Sequence, residues 1–322
     1  MRPELFKFLD VSFPSYFVLL ITGFTLAGIA AAVTTRREGL DPDVMIDTNL
    51  AMLLAGVVGA RVLHVLADGY FWDYVHLCTD PPAVDWKISQ AQCLSPTAGY
   101  DGVWDAVKGV CHPKSSDCFA WTRFWAGGLT YYGGFIGASL VAIPLLKRDR
   151  FPFWKAADYA GIGIPLGLAF GRMGCLLAGC CFGSQCSLPW ALSFPPGSPA
   201  SEAQRDVHLL VSSNLPSLPV HPTQVYESAG SLAVAAICWL VVNPRKRYDG
   251  HVFAWFVGLY ATLRFVLEFW RRDARGEWLG LSTSQLLGLA LVGFALLLHA
   301  RRRHAAAPLP DAPAEGDAEA GA

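Results

Sequence analysis

The amino-acid sequence predicts an all-α membrane protein with seven transmembrane helices around a lipid-accessible cavity. Of the 322 residues, 53% are hydrophobic and only 16% are charged, whereas an average soluble domain has about 25% charged residues. The apolar residues form blocks of about twenty residues, the length that an α-helix needs to cross a bilayer. The formal net charge of −1 gives no basic surface, so we expect lipid rather than nucleic acid as a partner.

Seven apolar windows, each without a continuous run of charge, define the predicted helices. They cover residues 14–35, 49–67, 125–146, 157–178, 222–242, 251–270 and 282–299. Pro144, Pro165 and many glycines lie inside these windows, and transmembrane helices tolerate them where neighbouring helices satisfy the freed backbone groups. The windows therefore indicate a helix bundle around a cavity.

The distribution of lysine and arginine predicts the orientation of this bundle. One set of alternating connections carries basic clusters at 36–37, 147–155, 245–247 and 301–303. Cytoplasmic loops are enriched in basic residues, so we expect the N-terminus outside and the C-terminus in the cytoplasm. The first window could instead be a signal peptide, but Glu4, Asp10 and the inside pair Arg36–Arg37 favour a transmembrane helix.

A single membrane domain is expected at residues 1–304, with two segments outside the bilayer. These are a cysteine-containing insertion at 68–123 and a loop at 179–221. Residues 305–322 are rich in alanine and proline and carry acidic residues, a composition typical of a disordered tail.

The cysteines fall mainly into two groups. The external insertion contains Cys78, Cys93, Cys111 and Cys118, an even number that predicts two disulfides of undetermined pairing. The second group, Cys175, Cys180, Cys181 and Cys186, has the form C-x4-CC-x4-C. Structural disulfides or buried thiols are favoured there, because a metal site normally shows C-x-x-C pairs or nearby histidines. A redox role and a metal site remain open alternatives.

Polar and ionisable side chains in and beside the windows are informative, because a charged residue costs about 2.5–3.5 kcal/mol at a helix centre. They are Arg61, His64, Arg172, His221, Gln224, Tyr226, Glu227, Tyr260, Arg264 and Glu268. One interpretation is internal ion pairing, with the candidate pairs Arg264 with Glu268, and Arg61 or Arg172 with Asp158 or Glu227. The other is that two guanidinium groups converge on an anion, for which a phospholipid headgroup is the obvious candidate.

In their order and spacing, these segments resemble the bacterial prolipoprotein diacylglyceryl transferases. The similarity runs from Tyr16 through IDTNLAMLLAGVVGARVLHV, YYGGFIGASL, GLAFGRMGCLLAGCCFG, VHPTQVYES and YATLRFVLEFWRRD to LSTSQLLGLALVG. The resemblance implies an enzyme of the bacterial inner membrane that moves a diacylglyceryl group from phosphatidylglycerol to the lipobox cysteine of a prolipoprotein signal peptide. The products would be a thioether and glycerol phosphate. No metal and no diffusible cofactor are implied.

The resemblance also implies a set of site residues. The family's essential arginine corresponds to Arg172, its second arginine to Arg264, and the tyrosine of its first helix to Tyr16. The motif H-P-[ST]-Q-x-Y-E is present from His221 to Glu227. The catalytic residues implied are Arg172, Arg264, Tyr132 and His221. The lipid-binding residues implied are Arg172, Tyr16, Tyr260, Glu227, Gly133 and Gly134.

Departures from the family pattern concern the residues that handle protons. The family's H-G-G-x-x-G motif begins here with Tyr132, and Cys175 and Cys180 stand at an asparagine and a glutamate of the G-R-x-G motif. A tyrosine is a poor base unless nearby arginines depress its pKa. We therefore hypothesise that the two arginines lower the pKa of the acceptor thiol directly and that Tyr132 orients the substrate. His221 and His64 are the candidates for a base in place of the family's histidine.

Three other functions fit the sequence. The arginines could serve an enzyme that delivers a phospholipid-derived group to a different acceptor. The chain could be a non-catalytic lipid-binding or assembly protein with a disulfide-stapled outer cap. A redox protein could use Cys175 or the pair Cys180–Cys181.

Overall fold

The computed structural model describes residues 4–8, 11–86, 88, 90–94, 101–124, 128–271, 277–278 and 280–305. The chain divides into two compact units. The amino-terminal unit contains Glu4–Phe17 and Thr35–Phe153, and the carboxy-terminal unit contains Val18–Thr34 and the chain from Trp154 onward. Apart from Ala305, the predicted tail at 305–322 lies outside the described residues.

The first helix follows a short antiparallel hairpin. Strands β1 (Glu4–Phe8) and β2 (Val11–Pro14) pair, and α1 (Ser15–Arg37) begins directly after them. Helix α2 (Pro42–Ala67) begins before the predicted window, because the Asp41 side chain accepts a hydrogen bond from the Asp43 amide and Pro42 occupies the first turn.

In the amino-terminal unit, α2 packs against α5 (Tyr131–Arg148) through glycines. A Cβ atom at Gly59 would collide with the carbonyl of Gly133, and a Cβ at Gly137 would collide with the carbonyl of Ala55. Small residues at such crossings let helix backbones approach closely. Gly133, which the resemblance implies in lipid binding, thus has a packing role here.

Residues 68–123 contain short elements that are linked by two disulfides. They are α3 (Phe71–Thr79), a 3₁₀ turn (Pro81–Ala83), α4 (Gln90–Cys93), the hairpin of β3 (Gly102–Asp105) and β4 (Val110–Pro113), and a second 3₁₀ turn (Ala120–Thr122). The disulfides join Cys78 to Cys118 and Cys93 to Cys111. This pairing links α3 to the end of the segment and α4 to the hairpin.

Four long helices form the carboxy-terminal unit together with the middle of α1. Their bounds are α6 (Phe153–Ala178), α8 (Thr223–Ala236), α9 (His251–Leu267) and α10 (Thr283–Ala305), with the short α7 (Pro199–Asp206) in the preceding loop. Helix α8 continues as a π-helical segment (Ile237–Val242) and a 3₁₀ turn (Asn243–Arg245), α9 continues as a 3₁₀ turn (Glu268–Trp270), and β5 (Glu277–Trp278) pairs with β6 (Leu281–Ser282). Ile162, Val234, Cys238 and Phe256 belong to its apolar core.

Within the described residues, six helices are long and apolar enough to cross a membrane, as expected for a multi-pass membrane protein. They are Ser15–Arg37, Pro42–Ala67, Phe153–Ala178, Thr223–Arg245, His251–Trp270 and Thr283–His304. The remaining predicted span coincides with α5, which has 18 residues. Because α5 is this short, a window of 18 residues has to include the two tyrosines at its start and Lys147 and Arg148 at its end, and these residues lower the mean hydropathy of the window.

Candidate functional site

Two arginines converge on one buried carboxylate in the carboxy-terminal unit. Glu227 on α8 is 1% exposed. Its Oε2 atom lies 3.0 Å from Nε of Arg172 on α6 and 3.2 Å from Nη1 of Arg264 on α9. The Tyr260 hydroxyl donates a hydrogen bond of 3.1 Å to Oε1. The cluster therefore brings together four residues that the sequence singled out.

The structure contains some, but not all, of the internal ion pairs that the sequence suggested. Of the two candidate acids, Glu227 pairs with Arg172. Asp158 instead accepts hydrogen bonds from the amides of Gly250 and Phe253, at 2.9 and 3.1 Å. These are amides at the start of α9, so Asp158 caps that helix.

Arg264 is held from both sides. Its Nη1 atom contacts Glu227, and its Nη2 atom lies 3.6 Å from Oε2 of Glu268 one turn later. Ser282 donates a hydrogen bond of 3.0 Å to Oε1 of Glu268. In turn, the Ser282 amide donates to Oε1 of Gln285. This chain of contacts links the end of α9 to the start of α10 and places a second negative charge beside the Arg264 guanidinium group.

Arg172 uses only one edge of its guanidinium group. Its described ion pair runs through Nε, and its terminal Nη nitrogens make no hydrogen bond to the residues that the structure describes. The side chain is 21% exposed. Arginine offers several donors in one plane, so Arg172 retains donors for a bound anion while its orientation is set by Glu227.

The VHPTQVYES motif anchors the loop that follows α6. The Thr223 hydroxyl donates to the Cys181 carbonyl at 2.9 Å, and the Gln224 side-chain amide donates to the Cys180 carbonyl at 2.7 Å. The backbone of His221 exchanges hydrogen bonds with the loop, since Gly183 donates to its carbonyl and its own amide donates to Ser184. The polar residues of the motif thus fix the loop against the start of α8.

Gly183 is required by this close approach. A Cβ atom built there would lie 2.7 Å from His221 Cβ, from Thr223 Cγ2 and from the Trp270 carbonyl oxygen. The Trp270 carbonyl is backbone and the other two atoms lie close to the backbone on their side chains, so a side chain at this position would displace the loop.

His221 lies in an aromatic cluster. Its Nδ1 atom is 3.4 Å from the Tyr226 hydroxyl, which accepts a hydrogen bond of 2.7 Å from Trp190 Nε1. The ring centroid is 6.4 Å from that of Trp270. These contacts are with aromatic side chains and do not test a base function for His221, which stays a prediction.

The other predicted site residues belong to the amino-terminal unit. Tyr132 is 70% exposed, with its ring against Tyr131. Tyr16 is exposed, and Gly133 is buried against α2. Gly134 is one residue further along α5, beside Gly56 of α2. These residues are thus in a different compact unit from Arg172 and Arg264.

Three of the four clustered cysteines come together at the end of α6. The sulfur atoms of Cys175, Cys180 and Cys181 all lie within 4.8 Å of one another, and Cys186 does not join them. All four are free thiols, so the structure has no disulfide in this cluster. Hydrogen bonds from the other two thiols, with the charges of Arg172 and Arg271, hold the pKa of the Cys181 thiol well below its ordinary range.

Two features of the site were missed by the sequence analysis. The hydrogen bond from Ser282 to Glu268, with the Ser282 amide held by Gln285, was not foreseen, although the segment LSTSQ belongs to the resemblance. The convergence of three thiols was also missed, because spacing alone does not show how the chain turns after Ala178.

Comparison with known proteins adds independent information. A family model described as prolipoprotein diacylglyceryl transferase matches residues 3–90 and 110–301. Proteins named phosphatidylglycerol–prolipoprotein diacylglyceryl transferase are similar to this chain. That of Rhizobium meliloti (strain 1021) is 32% identical over 194 residues, 58% of this chain and 63% of the relative. That of Azoarcus sp. (strain BH72) is 37% identical over 191 residues, 56% of this chain and 64% of the relative.

A longer match extends over most of both chains. The protein of the same name from Clostridium tetani (strain Massachusetts / E88) is 24% identical over 290 residues, which cover 90% of this chain and 93% of the relative. By contrast, the chain spans less than two thirds of the length of the Rhizobium and Azoarcus proteins that it matches.

Proposed function

We propose that this chain, which belongs to the prolipoprotein diacylglyceryl transferase family, transfers a diacylglyceryl group from phosphatidylglycerol to the lipobox cysteine of a prolipoprotein. The relatives at 24–37% identity carry that activity in their names. The observation that carries the proposal is the pair of arginines held on the buried Glu227. Such a pair suits a reaction whose leaving group is a phosphate.

The proposed reaction needs charge stabilisation on the lipid side. The acceptor sulfur forms a bond to the glyceryl carbon while the carbon–oxygen bond to phosphate breaks. The electron pair of that bond leaves with glycerol phosphate, and the thiol proton passes to a base or to water. Donors oriented before reaction are most effective in a water-excluded site. In this proposal Arg172 and Arg264 stabilise the departing phosphate, and Glu227 and Tyr260 keep both guanidinium groups in place.

The residues that contact the acceptor and the lipid chains are proposed from the resemblance to the family. We infer that Tyr132 orients the acceptor and that Tyr16, Gly133 and Gly134 contact lipid. Of the two candidate bases, we propose His221, because it lies six residues before Glu227 of the arginine cluster. Since a free thiol has a pKa of about 8.5, some group must raise its thiolate fraction at neutral pH.

The proposed topology has α5 as the seventh span, the N-terminus outside and the C-terminus in the cytoplasm of the bacterial inner membrane. Two facts support it. The disulfides of the 68–123 segment need an oxidising compartment. The last turns of α1, α5 and α10 carry basic residues, as cytoplasmic helix ends do. For this test the four free cysteines between residues 175 and 186 are replaced by serine. In sealed, unreduced cells, a thiol reagent that cannot cross membranes should label a cysteine introduced at Val107 and should not label one introduced at Arg302.

The test of the proposed function is mass spectrometry of a lipobox peptide. The peptide is incubated with purified protein in liposomes that contain phosphatidylglycerol. We expect a diacylglyceryl mass increase with the wild type and with Arg205→Ala, whose arginine pairs with Asp206 at the surface. Arg172→Ala should give no product. An equal rate for the two variants would contradict the proposed role of Arg172.

A different acceptor is the second candidate function, and Tyr132 in place of the family's histidine favours it. Wild-type protein that consumes phosphatidylglycerol and leaves the peptide unmodified would support this candidate. Loss of that consumption in Arg172→Ala would show that the arginine site serves both reactions.

A further inference from the structure

The thiols of Cys175, Cys180 and Cys181 form a group that the proposed transferase chemistry does not use. Cys175 is buried near the end of α6, and the other two are half-buried in the loop that follows. Their sulfur atoms all lie within 4.8 Å of one another. Three sulfur atoms at this spacing are a candidate ligand set for a metal ion.

The backbone holds these sulfurs together by specific contacts. Gly179 ends α6 with a φ of +74°, and Cys181 has a φ of +60°, a left-handed conformation that costs energy for a residue other than glycine. Thr223 and Gln224 hold the carbonyls of Cys181 and Cys180. The strained turn is therefore maintained by the same helix that carries Glu227.

The spacing of the sulfurs suits a tetrahedral metal ion. With zinc–sulfur bonds of about 2.3 Å, the sulfurs of a tetrahedral site lie about 3.8 Å apart. Rotation of the cysteine side chains can close the remaining distance. Thiolates select zinc and other thiophilic ions over magnesium or calcium, and four cysteines are the usual requirement for an iron–sulfur cluster.

The charges around the group also suit bound zinc. Three thiolates and one Zn²⁺ carry a net charge of −1, and both Arg172 and Arg271 interact electrostatically with Cys181. Within the described residues, the group of possible ligands contains three members. Catalytic zinc sites have three protein ligands and an open fourth position, whereas structural sites have four.

We propose that Cys175, Cys180 and Cys181 bind a zinc ion through three thiolates and leave the fourth position to the acceptor thiol. A thiol that coordinates zinc is deprotonated, so the ion supplies the thiolate that Tyr132 is poorly suited to generate. Arg172 is three residues before Cys175 on α6, less than one helical turn away, so the metal site is beside the proposed phosphate site. The metal site stands on the cysteine geometry alone, whereas its use by the acceptor rests on the proposed function.

The chemistry balances without an oxidant or a reductant. The acceptor thiol releases its proton to water when it coordinates zinc. Its sulfur then bonds to the glyceryl carbon, the carbon–oxygen bond breaks, and the electron pair leaves on glycerol phosphate. The thioether product is a weaker ligand than a thiolate and leaves the ion, whose oxidation state is unchanged.

The first experiment measures metal content. Full-length protein is purified under reducing conditions, loaded with Zn²⁺ and freed of excess metal. Its zinc content is then measured by elemental mass spectrometry. About one tightly bound zinc per chain is expected for the wild type and for Cys186→Ser, a free thiol outside the group. The variant with Cys175, Cys180 and Cys181 all replaced by serine should bind none. Zinc bound equally by this variant, or absent from wild type with its thiols reduced, would overturn the site.

A second measurement uses the wild type and so does not depend on the folding of a variant. Co²⁺ in place of zinc should give thiolate-to-cobalt charge-transfer bands, and a lipobox peptide with cysteine should strengthen them. The same peptide with serine should not. Absence of the bands would contradict the metal site. Bands that the cysteine peptide leaves unchanged would contradict coordination of the acceptor thiol by the metal.

Activity separates this inference from the proposed function. Since activation of a reacting group contributes about 10²–10⁴-fold, removing zinc with a chelator should slow peptide modification at least about 100-fold, and returning zinc should restore it. Undiminished transfer by zinc-free protein would refute the role of the metal and leave the transferase standing. Bound zinc with no transfer by the loaded wild type would refute the transferase and leave the metal site.

Discussion

Arg61 and Arg172 both lie inside long apolar helices, yet the chain uses them in different ways. In the amino-terminal unit, the three guanidinium nitrogens of Arg61 donate to the carbonyls of Trp121, Gly128 and Ala120, at 2.7, 3.2 and 2.9 Å. In the carboxy-terminal unit, Arg172 contacts Glu227 through Nε. Backbone carbonyls accept from all three guanidinium nitrogens of Arg61, whereas the terminal nitrogens of Arg172 have no hydrogen-bond partner in the part of the chain that the structure describes.

The difference shows that an arginine at membrane depth can be stabilised in two ways, by hydrogen bonds to backbone carbonyls or by an ion pair with a buried acid. Arg61 ties the 68–123 segment and the start of the α5 region to α2. Arg172 is oriented by an acid that itself holds a second arginine, Arg264. The number of donors left over is thus a better guide to a binding site than the presence of the arginine.

The largest effect is expected from Glu227→Gln, which removes the charge that the arginine pair shares. Breaking a buried ion pair from one side costs about 3–5 kcal/mol, so this variant should lose both stability and peptide modification. Thermal unfolding in detergent and the peptide assay would measure the two losses. Asp206→Asn, an exposed acid paired with Arg205, is the matched control. A Glu227→Gln variant as active as this control would break the account of the arginine cluster.

Arg61→Ala should reduce stability and leave the chemistry intact. It removes three hydrogen bonds to partly buried carbonyls, each of which contributes about 0.5–1.5 kcal/mol. We expect a lower unfolding temperature and a near-normal transfer rate per folded molecule. Arg123→Ala, at an exposed ion pair with Asp117, should change neither. If Arg61→Ala instead lost transfer while its unfolding temperature stayed normal, the contrast between the two arginines would fail.

Tyr132→Phe should have a moderate effect on transfer. The hypothesis that Tyr132 only orients the acceptor predicts a rate loss of less than about tenfold, or 1.4 kcal/mol. Its exposed position on α5 predicts an unchanged unfolding temperature. A loss as large as that of Arg172→Ala would identify the hydroxyl as part of the chemistry.

Ser282→Ala should have a small effect on the transfer rate. It removes the hydrogen bond to Glu268 that supports Arg264 from the side away from Glu227. One such bond contributes about 0.5–1.5 kcal/mol, so we expect a transfer rate lowered between about twofold and tenfold. Thr262→Ala, on the exposed side of α9, provides a comparison within the same unit. Equal rates for the two variants would mean that Arg264 needs no support from α10.

Much of the fold followed from the apolar blocks, because long hydrophobic windows have few alternatives to membrane helices. The early start of α2 depends on a cap at Asp41, outside the apolar window. The π-helical segment Ile237–Val242 has no hydropathy signal. Whether α5 spans the membrane was harder to predict, since tyrosines and glycines at its start dilute the hydropathy of a short helix.

The sequence predicted the residues of the site but not the contacts between them. Arg172, Arg264, Tyr260 and Glu227 were all identified from motifs, but the sequence offered Asp158 and Glu227 equally as partners. Only the packing of α6 against α9 turns Asp158 toward backbone amides. The disulfide pairing and the meeting of the three free thiols likewise depend on how loops return, which spacing does not encode.

The most direct test of the central claim replaces each of the two arginines by lysine and compares rates of peptide modification in phosphatidylglycerol liposomes. Lysine keeps the charge but loses the planar set of donors. The account predicts that Arg172→Lys loses about 10²–10³-fold, as for removal of a donor to developing negative charge, while Arg61→Lys keeps near-normal transfer per folded molecule. Equal rates for the two variants, or a greater loss in Arg61→Lys, would contradict it.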